Sequence, residues 1–106
     1  MADLKIKIEK PSADLTIIRL SGEFEGYNVL NNKDALIDHV KKNTVKNIML
    51  DLGEIEYIDS AAVGALLEMR QTAADQKTDF GLLHLNEPVK KVLAVTKIDK
   101  VIKIYE

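Results

Sequence analysis

The sequence contains no cysteine and no tryptophan, and none of its hydrophobic runs comes near the length of a membrane-spanning segment. Without cysteine, disulfide bonds, cysteine-ligated metals and thiol nucleophiles are excluded. A helix that crosses a bilayer needs about 20 consecutive apolar residues, so no membrane span is predicted. Near the N-terminus, Lys5, Lys7 and Glu9 interrupt the apolar residues, which is unlike a secretory signal peptide. We therefore predict a cytoplasmic protein.

The chain also lacks the basic excess that nucleic-acid-binding proteins carry. Its formal net charge is −2, its lysines are scattered, and only 5% of its residues are aromatic. Direct nucleic-acid binding usually combines a basic surface with stacking aromatic rings, so it is not predicted. The 106 residues, of which 46% are hydrophobic and 30% charged, are typical of a single domain that spans residues 1–106.

The hydrophobic pattern predicts an α/β fold with the chain order ββαβαβαβ. Alternation over 4–8 and an apolar run over 15–20 indicate an opening hairpin, whose turn over 10–14 contains a proline. Further strands are predicted over 48–52, 78–85 and 101–105, and helices over 28–42, over 61–74 and from Asn86 onward. Helices that alternate with strands after a hairpin favour a mixed β-sheet packed against helices.

Each of the two longer helices is predicted to bury one apolar stripe against this sheet. The first stripe consists of Leu30, Leu36, Ile37 and Val40. The second consists of Val63, Leu66, Leu67, Met69, and Ala73 or Ala74.

The junction between the strand over 48–52 and the helix over 61–74 is the most informative part of the chain. It reads Ile58-Asp59-Ser60-Ala61-Ala62-Val63-Gly64. A phosphate on the Ser60 hydroxyl would lie near unpaired backbone N–H groups and the positive end of the helix dipole. Serine at a helix start is also an ordinary cap, and Asp59 is the alternative cap that would leave the serine hydroxyl uncommitted. The two functions are compatible, because capping leaves the oxygen exposed.

The residues that would build a catalytic or metal site are sparse. His39 and His84, the latter placed on the fourth strand, have no metal-ligand spacing. Ser60 lacks the preceding glycine of a nucleophile elbow. Asp51 with Asp59 is the remaining catalytic alternative, although Asp51 lies within an apolar strand, where hydrogen bonding to a loop is its more typical role. We predict no enzymatic activity, no catalytic residue, no cofactor and no metal.

The glycine-flanked segment over 22–26 does not match a phosphate-binding loop, because no lysine, serine or threonine follows at the required spacing. Its glycines permit a sharp exit from a strand. Glu23 and Glu25 are either solvated acids or the rim of a partner-binding surface.

In this order the segments resemble the STAS domain, the module of sulfate transporters and anti-sigma factor antagonists, and most of all the free-standing bacterial antagonists. The resemblance runs nearly end to end, and the Asp-Ser junction is its most specific part. It is carried by Gly22-Glu23-Phe24-Glu25, Asn47-Ile48-Met49-Leu50-Asp51-Leu52, Tyr57-Ile58-Asp59-Ser60-Ala61-Ala62-Val63-Gly64, Pro88-Val89-Lys90-Lys91-Val92-Leu93 and Ile98-Asp99-Lys100-Val101-Ile102-Lys103-Ile104-Tyr105.

The resemblance implies a partner-switching regulator of sigma-factor-dependent transcription. Ser60 is then the phosphoacceptor, and Asp59 supports recognition or phosphorylation. The partner is an anti-sigma factor that is itself the serine kinase and holds the ATP. It binds the unmodified antagonist, phosphorylation ends the binding, and a serine phosphatase restores it. The implied partner-binding residues are Glu23, Glu25, Asp59, Ser60, Ala61, Ala62 and Val63.

The chain departs from the family pattern at two positions. Ala62 stands where glycine is common, and its methyl group is a candidate obstacle to a partner. Glu25 stands where aspartate is common, which keeps the charge on a longer side chain. Two other functions remain open: a constitutive STAS adaptor subunit of a lipid-transport ABC complex at the inner membrane, and direct binding of a nucleotide or small ligand at the junction.

Overall fold

The computed structural model describes residues 3–105 and shows one five-stranded sheet with three α-helices in that part of the chain. The strands are β1 (Lys5–Ser12), β2 (Leu15–Ser21), β3 (Asn47–Glu54), β4 (Asp79–Leu83) and β5 (Lys103–Tyr105). The helices are α1 (Gly26–Lys42), α2 (Ser60–Asp75) and α3 (Glu87–Val95), and a 3₁₀ turn covers Ile98–Lys100. The predicted α/β class and chain order are confirmed.

The strands lie in the order in which they occur along the chain. β1 pairs antiparallel with β2, and β2 to β5 are parallel. Ile18, Leu50 and Leu82 stand side by side on successive strands, and all three are fully buried. Since each crossover advances one strand in the same direction and such crossovers are right-handed, the helices cover this same face. The carboxyl ends of β2, β3 and β4 therefore share one edge of the sheet.

The opening hairpin is tighter than predicted. The turn expected over 10–14 is wrong in extent, because β1 continues through Pro11 to Ser12, which pairs with Leu15. Proline lacks an N–H, but β1 is an edge strand, where that donor is not needed for pairing. The register shifts between Glu9 and Ser12, and this irregularity absorbs the proline.

Two leucines predicted in the core are exposed instead. Leu30 and Leu67 leave the buried faces of their helices, whereas Val29 and Ala65 lie within them. Neighbouring positions on a helix differ by about 100°, so an assignment that is wrong by one residue moves a side chain from the core to solvent.

A buried carboxylate joins β2, β3 and the end of β4. Asp51 accepts hydrogen bonds from Arg19 Nε at 3.0 Å, from His84 Nδ1 at 3.2 Å and from Gly53 N at 2.9 Å. Burial raises the pKa of Asp51, but these hydrogen bonds outweigh burial and leave the pKa below its ordinary value. The prediction that Asp51 is hydrogen-bonded to a loop is confirmed by its contact with His84, which lies in the loop after β4. The strand position predicted for His84 is wrong, because the residue follows β4 with a φ of 58°.

Candidate functional site at the start of α2

Asp59 is the cap of α2. Its backbone is extended, with φ −111° and ψ −173°, and its Oδ1 accepts a hydrogen bond from Ala62 N at 3.1 Å. Its other oxygen, Oδ2, accepts one from Gly26 N at 2.9 Å. Because Gly26 is the first residue of α1, a single carboxylate holds the first turns of two helices together.

Ser60 is the first residue of α2 and is exposed. Within residues 3–105 its hydroxyl makes no hydrogen bond, so the cap interpretation of Ser60 is wrong and the alternative, with Asp59 as the cap, is confirmed. The backbone N–H groups of Ser60 and Ala61 likewise find no acceptor in that part of the chain. The hydroxyl therefore lies in solvent beside two N–H groups at the positive end of the helix dipole.

The corner over 22–26 lies directly beside this junction. Phe24 forms a parallel bridge with Ile58, and both side chains are fully buried. Gly22 has a φ of +95°, and a Cβ there would lie 2.0 Å from the carbonyl oxygen of Asp3, so the corner requires glycine. Asn28 Nδ2 donates to Glu23 O at 2.9 Å and holds the corner against α1. The structure thus brings Glu23, Glu25 and Asp59 to one edge, close to Ser60.

The residues after Ser60 turn inward. Ala61 is half-buried, Ala62 is 0% exposed and Val63 is 9% exposed. Ala62 is part of the hydrophobic core, so in the free protein its methyl group is not exposed on the surface where it was expected to meet a partner. Ala62 and Val63 pack in the core beneath the exposed residues of this junction.

Two further acids, which the sequence did not single out, belong to this edge. Glu54 and Glu56 are exposed and line an open cleft of about 370 Å³ with Gly22, Glu23, Glu25 and Tyr57. Their signal in the sequence is their position at the carboxyl end of a buried parallel strand, since the carboxyl ends of such strands are where binding crevices form. Four glutamates in one cleft give a negative potential that favours a partner with a basic surface.

Exposed apolar side chains surround the same junction. Tyr27 is 74% exposed, Leu30 63%, Tyr57 50% and Leu67 37%. They lie in the first turns of α1, in the segment before Asp59 and on α2, the elements that meet at Asp59. Apolar and aromatic side chains rimmed by charge are typical of protein–protein interaction sites. The sequence pattern assigns Leu30 and Leu67 to the buried stripes, because an apolar residue in a helix pattern is normally a core residue.

Other sites find less support in the structure. Within the described residues, no group of three or more His, Asp or Glu side chains is arranged to hold a metal ion. His39 lies on α1, and His84 Nδ1 lies 3.2 Å from Asp51 Oδ2. In the same part of the chain, no helix combines the length and apolar character needed to cross a membrane.

Comparison with known proteins gives a consistent result. A family model described as the STAS domain matches residues 5–106. A crystal structure of a candidate anti-sigma factor antagonist from Thermotoga maritima is 28% identical to this chain, with a TM-score of 0.82, over 97% of this chain and 86% of the other. The anti-sigma-B factor antagonist of Listeria monocytogenes is 24% identical over 103 residues, which make up 96% of this chain and 89% of that protein.

The fold also matches that of the anti-sigma factor antagonist SpoIIAA. Its unphosphorylated form is 19% identical to this chain, with a TM-score of 0.77, over 96% of this chain and 89% of the other. The phosphorylated form of SpoIIAA from Bacillus has a TM-score of 0.69 at 18% identity, over 96% and 92% of the two chains. At these identities the match shows a shared fold.

Proposed function

Since this chain belongs to the STAS domain family, we propose that it is an anti-sigma factor antagonist that works by partner switching. Unmodified, it binds an anti-sigma factor and frees the sigma factor that this partner holds; phosphorylation of Ser60 ends the binding. One observation carries the proposal: the Ser60 hydroxyl is exposed, makes no hydrogen bond within residues 3–105, and lies beside the acidic corner. The relatives named as anti-sigma factor antagonists support it.

The docking surface in this proposal is the edge where α1, α2 and the corner meet. Glu23, Glu25, Asp59, Ser60 and Ala61 form its centre, above the buried Ala62 and Val63. The exposed tyrosines and leucines around it contribute apolar area. Such a surface has the apolar contacts and charged rim that a protein partner needs.

A phosphate on Ser60 acts against binding and leaves the fold intact. Phosphoserine carries about −1.5 to −2 charges and must lose its water when a partner covers it next to Asp59. A loss of about 3 kcal/mol is enough to weaken binding more than a hundredfold. Inside the free protein, the helix N-terminus favours a negative group, and Ser60 makes no bond that modification would break.

The chain is the substrate in this cycle and supplies no catalytic group. The anti-sigma factor holds ATP and acts as the serine kinase. The γ-phosphoryl group passes from ATP to Oγ of Ser60, the bond to ADP breaks, and the hydroxyl proton passes to a base of the kinase or to solvent. A serine phosphatase hydrolyses the ester and restores the binding form. We place this cycle in the cytoplasm, where sigma factors act, and assign no metal or cofactor to the chain itself.

Intact-mass analysis tests the proposal directly. Wild-type protein, Ser60→Ala and the control Ser12→Ala, which alters an exposed serine at the end of β1, are incubated with ATP and purified anti-sigma factor kinases from the source organism. We expect one phosphoryl group on the wild type and on Ser12→Ala, and none on Ser60→Ala. Equal phosphorylation of all three would reject Ser60 as the acceptor. Full function of both Ser60→Ala and Ser60→Asp, with copurification of a membrane complex, would instead identify the constitutive adaptor.

A further inference from the structure

Gly64 is the one glycine of this chain that its own fold does not explain. An ideal Cβ built on Gly64 meets no atom within 4 Å, and its φ lies outside the left-handed region. The residue is exposed within α2. Glycine in the interior of a helix is destabilising relative to alanine, so the fold gains nothing from it here.

The other four glycines each have a structural reason. Gly22 and Gly26 have positive φ angles of +95° and +48°. A Cβ on Gly53 would lie 3.1 Å from Asp51 Oδ1, and one on Gly81 would lie 2.4 Å from the ring of Tyr105. Gly26 also lies in open space, but its positive φ favours glycine, whereas Gly64 has neither a positive φ nor a close neighbour.

The position of Gly64 points to a partner. It lies one turn after Ser60 on the same face of α2, and Leu67, exposed although apolar, lies three residues further along that face. Where a glycine costs helix stability and has no cause inside the molecule, close approach of another backbone is a usual reason.

We propose that Gly64 is the point at which the anti-sigma factor approaches the backbone of α2 more closely than any side chain would permit. This inference rests on the proposed function and adds to it a residue that determines specificity. The partner presents a close-packed segment of its chain to Gly64 and basic side chains to the cleft lined by Glu54 and Glu56.

The test exploits opposite effects on folding and binding. Gly64→Ala is expected to raise the melting temperature by about 3–6 °C, because helix propensity improves in open space. It is expected to weaken binding to the anti-sigma factor about tenfold or more, because a methyl group enters a close-packed contact. Gly64→Leu extends the side chain further and should weaken binding more.

Ala74→Gly is the matched control, since Ala74 is exposed near the other end of α2. It should lower the melting temperature and leave the affinity unchanged. Melting is followed by circular dichroism, and binding by calorimetry with each purified anti-sigma factor of the source organism. Unchanged affinity of Gly64→Ala and Gly64→Leu for a partner that binds the wild type overturns this inference alone. A lower melting temperature for Gly64→Ala also overturns it. Failure of the wild type to bind any of these proteins overturns the proposed function itself, and this inference with it.

Discussion

Removal of the Asp59 carboxylate tests how the two helices that frame the site are held. Asp59→Ala removes both hydrogen bonds, the one from Ala62 N at 3.1 Å and the one from Gly26 N at 2.9 Å. Asp59→Ser is the informative companion, because a serine at the cap position still reaches Ala62 N. The serine side chain is shorter and has only one oxygen, so it cannot also accept the hydrogen bond from Gly26 N.

The expected losses follow from these contacts. A lost helix cap costs about 1 kcal/mol, and a lost hydrogen bond to a charged group about 1.5–3 kcal/mol. Since both bonds share one carboxylate, the free energy of unfolding should fall by about 2–3 kcal/mol in Asp59→Ala. In Asp59→Ser only the bond to Gly26 is lost, and the fall should be about 1.5 kcal/mol, the lower end of that range. A domain of this size is stable by about 5–15 kcal/mol, so both variants should remain folded.

Thermal unfolding distinguishes these cases. Each kcal/mol corresponds to a shift of about 4–8 °C in a small domain, so we expect a decrease of roughly 10–20 °C for Asp59→Ala and about half of that for Asp59→Ser. Urea titrations at a fixed temperature provide the free energies. Equal melting temperatures for Asp59→Ala and the wild type would refute the assignment of Asp59 as a clamp between α1 and α2. Equal losses in the two variants would show that the bond to Ala62 contributes little.

Two further predictions concern other parts of the molecule. Burial raises the pKa of Asp51, but the hydrogen bonds from Gly53, Arg19 and His84 lower it by more, so the folded pKa lies below its ordinary value. The stabilisation that Asp51 contributes is therefore complete above the unfolded pKa of about 3.9 and is lost as the pH falls through the lower folded pKa. Asp51→Asn should therefore flatten the acid arm of a plot of unfolding free energy against pH, and an unchanged slope would contradict this assignment. Replacement of Glu54 and Glu56 by lysine should slow association with the anti-sigma factor about tenfold at low salt in stopped-flow measurements, with a smaller effect at high salt. A rate that does not respond to the replacement would exclude the acidic cleft from the encounter.

The order of strands and helices could be predicted from the sequence because it depends on local patterns. Alternation over 4–8 needs only one wet face, and the apolar run over 48–52 is typical of an interior parallel strand, which β3 is. Residue types typical of turns predicted the end of β1 less accurately. Pro11 indicated a turn, but its place on an edge strand allowed β1 to continue past it.

The position of the site could be predicted from the sequence, but the contacts between its residues could not. The junction at Asp59 and Ser60 stood out, yet both residues are good caps, and nothing local decides between them. The choice depends on Gly26, which is 33 residues away in the chain and reaches Asp59 because Phe24 pairs with Ile58. Only the tertiary arrangement supplies that contact.

The exposed apolar residues show a different limit. A periodic pattern assigns every leucine on or near a stripe to the core, because most leucines are buried. Leu30 and Leu67 violate that rule on the two helices that meet at the site. A side chain that is kept apolar for a partner carries the same signal in the sequence as one kept apolar for the core. Its exposure becomes visible only once the helices are packed.

In the proposed cycle, the separate roles of Asp59 and Ser60 determine where phosphorylation would act. If Ser60 were the cap, a phosphate would perturb the bond that starts α2, and modification would change folding and binding together. Because Asp59 takes both backbone donors, the serine oxygen is not part of the network that holds α1 to α2. In the proposed cycle, the free energy of modification would then act on the docking surface alone. A switch of this kind can be reset repeatedly, since neither form has to unfold to become the other.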